Sequence, residues 1–211
     1  MPNNNEGVTE VNRAAIIPDD QMMVSVEELK LKGLSTYKIN QLVEQGSLVK
    51  LNRKYYENAG YIGDVSDFYY AYAYVPAGVI CLLSAAVYYD LTTYVPEAID
   101  IAIRRKARVS TMPEWPEISL HYYTDDRFSL GIQTIDEGKN HFRIFDLEKT
   151  VVDIVYYRKQ IGEEETKEIL TKYLQRKDRN LNRLMRYAEA MKCGDTLRTY
   201  LEVLICQTQI L

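Results

Sequence analysis

Histidine is almost missing from this 211-residue chain, which holds only His121 and His141. Without an HExxH pair or a His–Cys ligand spacing, no metal site is expected. Cysteine is nearly as scarce: Cys81, Cys193 and Cys206 share no motif spacing, so buried inert thiols are expected rather than a disulfide framework. The ten glycines are scattered, with no GxGxxG and no GxxxxGK run to cradle a phosphate, and no cofactor is implied. Ser84 lies in an apolar stretch without a nucleophile elbow, and its hydroxyl is expected to bond its own helix backbone. No apolar run is long enough to span a membrane, and no signal peptide is visible. The longest such run, Val79 to Val87, reads as a core helix. These absences point to a cytoplasmic protein with no membrane partner, and to a chain that is not an enzyme.

What is present is concentrated near the N-terminus. Ser25 followed by Glu28 forms a capping box, so a helix is predicted from Val26, closed by Gly33 in the left-handed region. Ser35 caps a second helix, Thr36 to Gln45, closed by Gly46. Ile39, Leu42 and Val43 form its apolar stripe. Its other face carries Thr36, Tyr37, Lys38, Asn40, Gln41 and Glu44, and the polar, amide and cationic side chains at its N-terminal end are able to read base edges and phosphates. A hairpin follows, with Lys50, Arg53 and Lys54 at or near its tip, suited to backbone phosphate. Two helices and a basic hairpin in this order predict a winged helix-turn-helix over residues 22–60. Residues 22 to 57 hold six Lys or Arg against four Asp or Glu, within a chain of net charge −4. That modest local excess supports a weak, salt-sensitive DNA binder. The first 21 residues are polar and Pro-interrupted, and read as a flexible arm.

A boundary is expected over residues 58–64, where two glycines follow the hairpin, and a second, mixed α/β domain over 64–211. Ser66 begins a tyrosine-rich helix ending before Pro76, with some of Tyr69, Tyr70, Tyr72 and Tyr74 packed inward. Strands are predicted at 98–103, 118–123, 128–134 and 141–144, and a helix capped by Asp146 at 147–158. From Glu163 the chain reads as three helices. The fold class is therefore α+β: a winged helix, then a mixed sheet with helices, then a helical C-terminus. Lys172, Arg176, Lys177, Arg179, Arg183 and Arg186 form a possible second basic surface, for phosphate or an acidic partner, against the alternative of a solvated face laced with ion pairs. Arg104, Arg105, Lys106 and Arg108 form a smaller cluster. The most enzyme-like alternative is a metal-dependent nuclease using Asp100, Glu137 and Lys139. Glu148, Lys149 and Asp153 read as structural.

The run GLSTYKINQLVEQGSLVKLNRKYY resembles the N-terminal winged helix of AbiEi-type antitoxins. The resemblance continues through LLSAAVYYDL (Leu82 to Leu91), VPEAIDIAI (Val95 to Ile103) and FDLEKTVVDIV (Phe145 to Val155), similar in order to the family's Ser-Ala helix, the strand after it, and its Glu-Arg-Thr-x-x-Asp helix. The family's wing glycine is replaced by Lys54, leaving Asn52 to supply any positive-φ turn residue, and no helix is evident ahead of Ser25. The resemblance implies an antitoxin of a type IV abortive-infection toxin–antitoxin system. Its functional partner would be a nucleotidyltransferase-like toxin, with or without a direct complex. It also implies repression of its own operon through double-stranded operator DNA with inverted repeats. A stand-alone winged-helix regulator is the alternative from the same residues.

Overall fold

The computed structural model describes residues 17–208, the last four by their backbone alone; residues 1–16 of the expected arm and the side chain of Cys206 lie outside the described residues. The chain is an α+β protein, with ten helices and two sheets among the described residues. It divides into two compact units. The first comprises Met1–Pro76, Val109–Pro116 and Ile135–Phe142, and the second Ala77–Arg108, Glu117–Thr134 and Arg143–Leu211. The turn expected to separate two domains at 58–64 thus falls inside the first unit.

The first unit runs β1 (Met23–Ser25), α1 (Val26–Leu31), α2 (Thr36–Glu44), β2 (Leu48–Lys50), β3 (Tyr55–Asn58) and α3 (Asp67–Tyr74). Both predicted N-caps are present. The Ser25 hydroxyl accepts from Glu28 N at 3.1 Å while the Glu28 carboxylate accepts from Ser25 N at 2.7 Å, and Ser35 accepts from Lys38 N at 3.3 Å. Gly33 and Gly46 close the two helices at φ +83° and +71°, a backbone region that costs other residues about 1–2 kcal/mol. The strands form an antiparallel sheet in the order β1-β3-β2, with Val24 opposite Tyr56 and Lys50 opposite Tyr56 on its other side. Val24, Leu29, Leu34, Ile39, Leu48 and Tyr56 bury together with Ile17.

That burial corrects the reading of residues 17–21 as part of a loose arm. Ile17, Gln21 and Met22 are all at most 5% exposed. Asn58 Nδ2 donates to Pro18 O and Gln21 O at 3.1 and 3.0 Å, and Asn140 Oδ1 accepts from Met22 N at 2.7 Å. Specific protein partners hold this segment, with Asp19 and Asp20 left exposed.

The second unit contributes β4 (Val79–Ile80), α4 (Leu82–Tyr88), β5 (Ile99–Arg104), β6 (Ile118–Tyr123), α5 (Asp125–Phe128), α6 (Leu147–Tyr156), α7 (Arg158–Ile161), α8 (Glu163–Gln175), α9 (Leu181–Ala190) and α10 (Gly194–Thr208). With the hairpin β7 (Ile132–Glu137) and β8 (Asn140–Phe145), the five-stranded sheet has the order β6-β5-β4-β8-β7. It is mixed: β5 pairs parallel with β6 and antiparallel with β4, and β4 pairs parallel with β8. Helix α6 is the core of the unit, buried from Leu147 to Val155, as suits a helix enclosed on all sides. Two expectations change. The predicted helix over Val79 to Val87 starts with a two-residue strand, and the predicted strand at 128–134 starts as the end of a helix. Asp125 and Asp126 favour that helix's N-terminal turn, and Gly131 at φ +66° separates it from β7.

Candidate nucleic-acid interface

Helix α2 presents one face to the core through Ile39, 2% exposed, and half-buries Leu42 and Val43. The helical period then turns Thr36, Tyr37, Lys38, Asn40 and Gln41 outward, and all five are exposed. Tyr37 is 71% exposed, an unusual setting for a large ring, and its hydroxyl accepts from Gln41 Nε2 at 3.2 Å one turn later. These residues therefore form one continuous polar face at the start of the helix.

Beside it the β2–β3 hairpin carries Lys50, Arg53 and Lys54, all exposed. None of these, nor Lys38, makes an ion pair among the described residues. Asn52 closes the hairpin differently from the expectation. Its φ is not positive; instead its Oδ1 accepts from Lys54 N at 2.8 Å and Tyr55 N at 3.0 Å, while Nδ2 donates to Ala73 O at 3.0 Å. A side-chain-closed turn of this kind needs no glycine. Val26 N donates to Lys54 O at 2.8 Å, tying the tip to the start of α1. Four cations on a short anchored surface, without internal partners, can meet phosphates.

Helix α3 braces the hairpin, a role the sequence did not disclose. Tyr70 donates to the Glu57 carboxylate at 2.9 Å, Tyr74 to Leu51 O at 3.2 Å, and Tyr69 to the Glu137 carboxylate. Burial, then the carboxylate partner, pushes the Tyr69 and Tyr70 phenols well above their ordinary range. Trp115 packs edge-on against Tyr70 at 5.8 Å. The hydroxyls of Tyr69, Tyr70 and Tyr74 are thus committed to protein contacts.

The C-terminal basic residues are partly consumed internally. Lys172 pairs with Glu168 at 2.8 Å, Arg176 forks onto Asp178 at 2.9 and 2.8 Å and donates to Tyr89 O, and Arg183 reaches the buried Glu148 at 3.4 Å. Arg179 donates to Arg176 O, and Arg186 lies over the Tyr187 ring at 5.7 Å. Lys177, Arg179 and Arg186 remain exposed. Arg104, of the smaller cluster, pairs with Asp125 at 2.5 Å.

The candidate nuclease residues each have a separate partner: Asp100 meets His121 at 2.8 Å, Glu137 meets Tyr69, and Lys139 meets Asp20 at 2.9 Å. Ser119 also approaches His121, at 3.4 Å, but through the same Nε2 atom that faces Asp100. A serine relay needs the acid and the hydroxyl on opposite ring nitrogens. The Ser84 hydroxyl bonds strand rather than helix: it accepts from Asp100 N at 2.8 Å, and Ser84 N approaches the Asp100 carboxylate at 3.4 Å. Helix α4 is thereby fastened to β5.

The sequence reading took Lys149 and Asp153 as structural but did not pair them. Lys149 and Asp153 are both fully buried, with Lys149 Nζ 2.6 Å from each Asp153 oxygen, 4.1 Å from the Phe145 ring centre and 5.0 Å from that of Tyr123. Their i, i+4 spacing was the available signal. Glu148, 2% exposed, accepts from Asn180 N at 2.9 Å and Tyr173 at 3.3 Å, so α6 carries three satisfied buried charges.

No protein-family model and no curated protein matches the chain. Among solved structures it is similar to the RV2827C protein from Mycobacterium tuberculosis, with a TM-score of 0.49 and 14% identity over 88% of this chain and 76% of that one. No helix among the described residues is long and apolar enough to cross a membrane.

Proposed function

We propose that this chain binds double-stranded DNA through a winged helix-turn-helix in its first unit. We further propose that it acts as the antitoxin and autorepressor of an abortive-infection toxin–antitoxin pair. The observation that carries the DNA reading is the exposed polar face of α2 beside a hairpin whose Lys50, Arg53 and Lys54 have no ion-pair partner among the described residues. Thr36, Tyr37, Lys38, Asn40 and Gln41 would enter the major groove, and the three hairpin cations would hold phosphate. The antitoxin half rests on the four sequence runs that resemble the AbiEi-type family, and its functional partner would be a nucleotidyltransferase-like toxin. A stand-alone regulator would use the same surface, but deleting its gene would release no toxicity from a neighbouring gene.

Replacing Arg53 and Lys54 together by Ala tests the assignment. Binding should weaken on every DNA sequence, and the slope of log affinity against log salt should flatten by about 0.9 for each lost phosphate contact. An unchanged slope removes the hairpin from the interface. Asn40→Ala or Gln41→Ala should instead relax sequence preference, each good bidentate base contact being worth about 1–3 kcal/mol.

A further inference from the structure

A cavity of about 200 Å³ lies wholly within the first unit, walled by residues of β1, α1, β3, α3 and the tip of the β7–β8 hairpin. Its lining is unusual in having three phenol rings and an imidazole around one carboxylate. Tyr55 and Tyr72 stand 6.0 Å apart at 75°, and Tyr72 and His141 stand 4.5 Å apart at 65°. Tyr69 adds a third phenol and Glu28 a carboxylate. The charge balance inside favours a cation. Lys139, on the wall, is neutralised by Asp20 at 2.9 Å. Burial, then the neighbouring Tyr72, and after it Glu28 and Glu27, raise the Tyr55 phenol. Ring faces meeting at steep angles beside a carboxylate are the chemistry that recognises an organic cation, which ring quadrupoles attract within about 6 Å of their centres. Size fits a compact one: an apolar cavity of about 150 Å³ accepts benzene.

We propose that this cavity is a binding site for a small methylated ammonium cation of the size of choline. Glu28 supplies the counter-charge and Tyr55, Tyr69 and Tyr72 supply the ring faces. A carboxylate or phosphate ligand would meet Glu28 with like charge, and an alkyl ligand of the same shape would forgo both the ring quadrupoles and the carboxylate. The site stands independently of any contact with DNA, since its residues are not those assigned to base or phosphate contact.

Calorimetric titration of the full chain with choline tests the proposal, with the neutral isostere in which a quaternary carbon replaces the nitrogen as control. Choline should bind saturably and at least about tenfold more tightly than the isostere, a factor equal to about 1.4 kcal/mol. Tyr72→Leu should weaken choline by about tenfold, but it risks disturbing the packing of α3. Glu28→Gln is therefore the decisive variant: glutamine keeps the acceptor for Ser25 N while removing the charge, and gives up the bond that Gln21 Nε2 donates to Glu28 Oε1 at 3.1 Å. It should stay folded, with a modestly lowered melting temperature, and lose about tenfold in choline affinity. Tyr55→Phe, which keeps the ring, should bind as the parent does. Absence of saturable choline binding, equal binding of the isostere, or an unaffected Glu28→Gln variant would each overturn the assignment.

Discussion

Lys149 and Asp153 show what a charge costs inside this protein. Neither is exposed, and each is compensated mainly by the other, at 2.6 Å, with the rings of Phe145 and Tyr123 completing the enclosure of the ammonium. Burial raises the Asp153 carboxyl above its ordinary range, opposed by Lys149. Removing one partner of such a pair leaves an uncompensated buried charge, which costs about 3–5 kcal/mol, whereas replacing both by apolar side chains of similar volume is often neutral. Asp153→Ala should therefore destabilise by that amount in urea unfolding, and Lys149→Met with Asp153→Leu should recover most of it. Two equally damaged proteins would contradict this account. The thiols obey the same logic. Burial pushes Cys193 up to about 11 and Cys81 well above the ordinary thiol range, so neither presents a thiolate at neutral pH. Peptide mapping after iodoacetamide treatment should find Cys81 and Cys193 labelled only once the chain is unfolded.

At the scale of elements, the junction between Gly131 and α6 is closely packed. Asp146 caps α6 by accepting from Lys149 N at 2.8 Å, and its own N donates to Gly131 O at 2.6 Å. A Cβ on Gly131 would lie 2.7 Å from Lys149 Cβ, at a φ of +66°. Gly131→Ala should thus cost more than the about 1–2 kcal/mol of left-handed backbone strain alone, read as a lowered urea midpoint. Helices with their own start and stop signals were legible in the sequence. Ser25, Ser35, Ser66 and Asp146 cap the helices expected of them, and Gly33 and Gly46 end theirs. Elements fixed by distant partners were not legible. Residues 17–22 become ordered through Asn58 and Asn140, residues far along the chain. The alternation of Phe128, Leu130 and Ile132 imitated a strand across a helix end and a glycine turn. The five outward residues of α2 could be read from period alone. The binding partners of the C-terminal arginines could not, because Arg176 and Arg183 find Tyr89 and Glu148 through tertiary packing.

At the scale of the whole molecule, its eighteen tyrosines set its response to alkali. Burial raises the phenols of Tyr55, Tyr69, Tyr70, Tyr89, Tyr123 and Tyr173, and Tyr200 is pushed up to about 12. In that window the unfolded chain releases protons that the folded chain retains, so the native state binds more protons and stability falls as pH rises. The contribution is intact below the unfolded values, about 9 for thiols and about 10 for phenols, and is lost progressively as pH rises from them to the raised folded values. The urea midpoint should therefore drop as pH rises from about 9 toward about 12, and phenolate absorbance should rise in an early and a delayed phase. An unchanged midpoint would mean that these groups titrate alike in both states. The same molecule is net negative while its α2 face and hairpin carry cations without ion-pair partners among the described residues, so the proposed binding to DNA would be local and salt-dependent. The most direct measurement is a titration of the purified chain, at several salt concentrations, onto DNA from immediately upstream of its own gene and onto a scrambled control. Preferential binding to the upstream DNA with a steep salt slope is the predicted result. Equal and feeble binding to both would contradict the account.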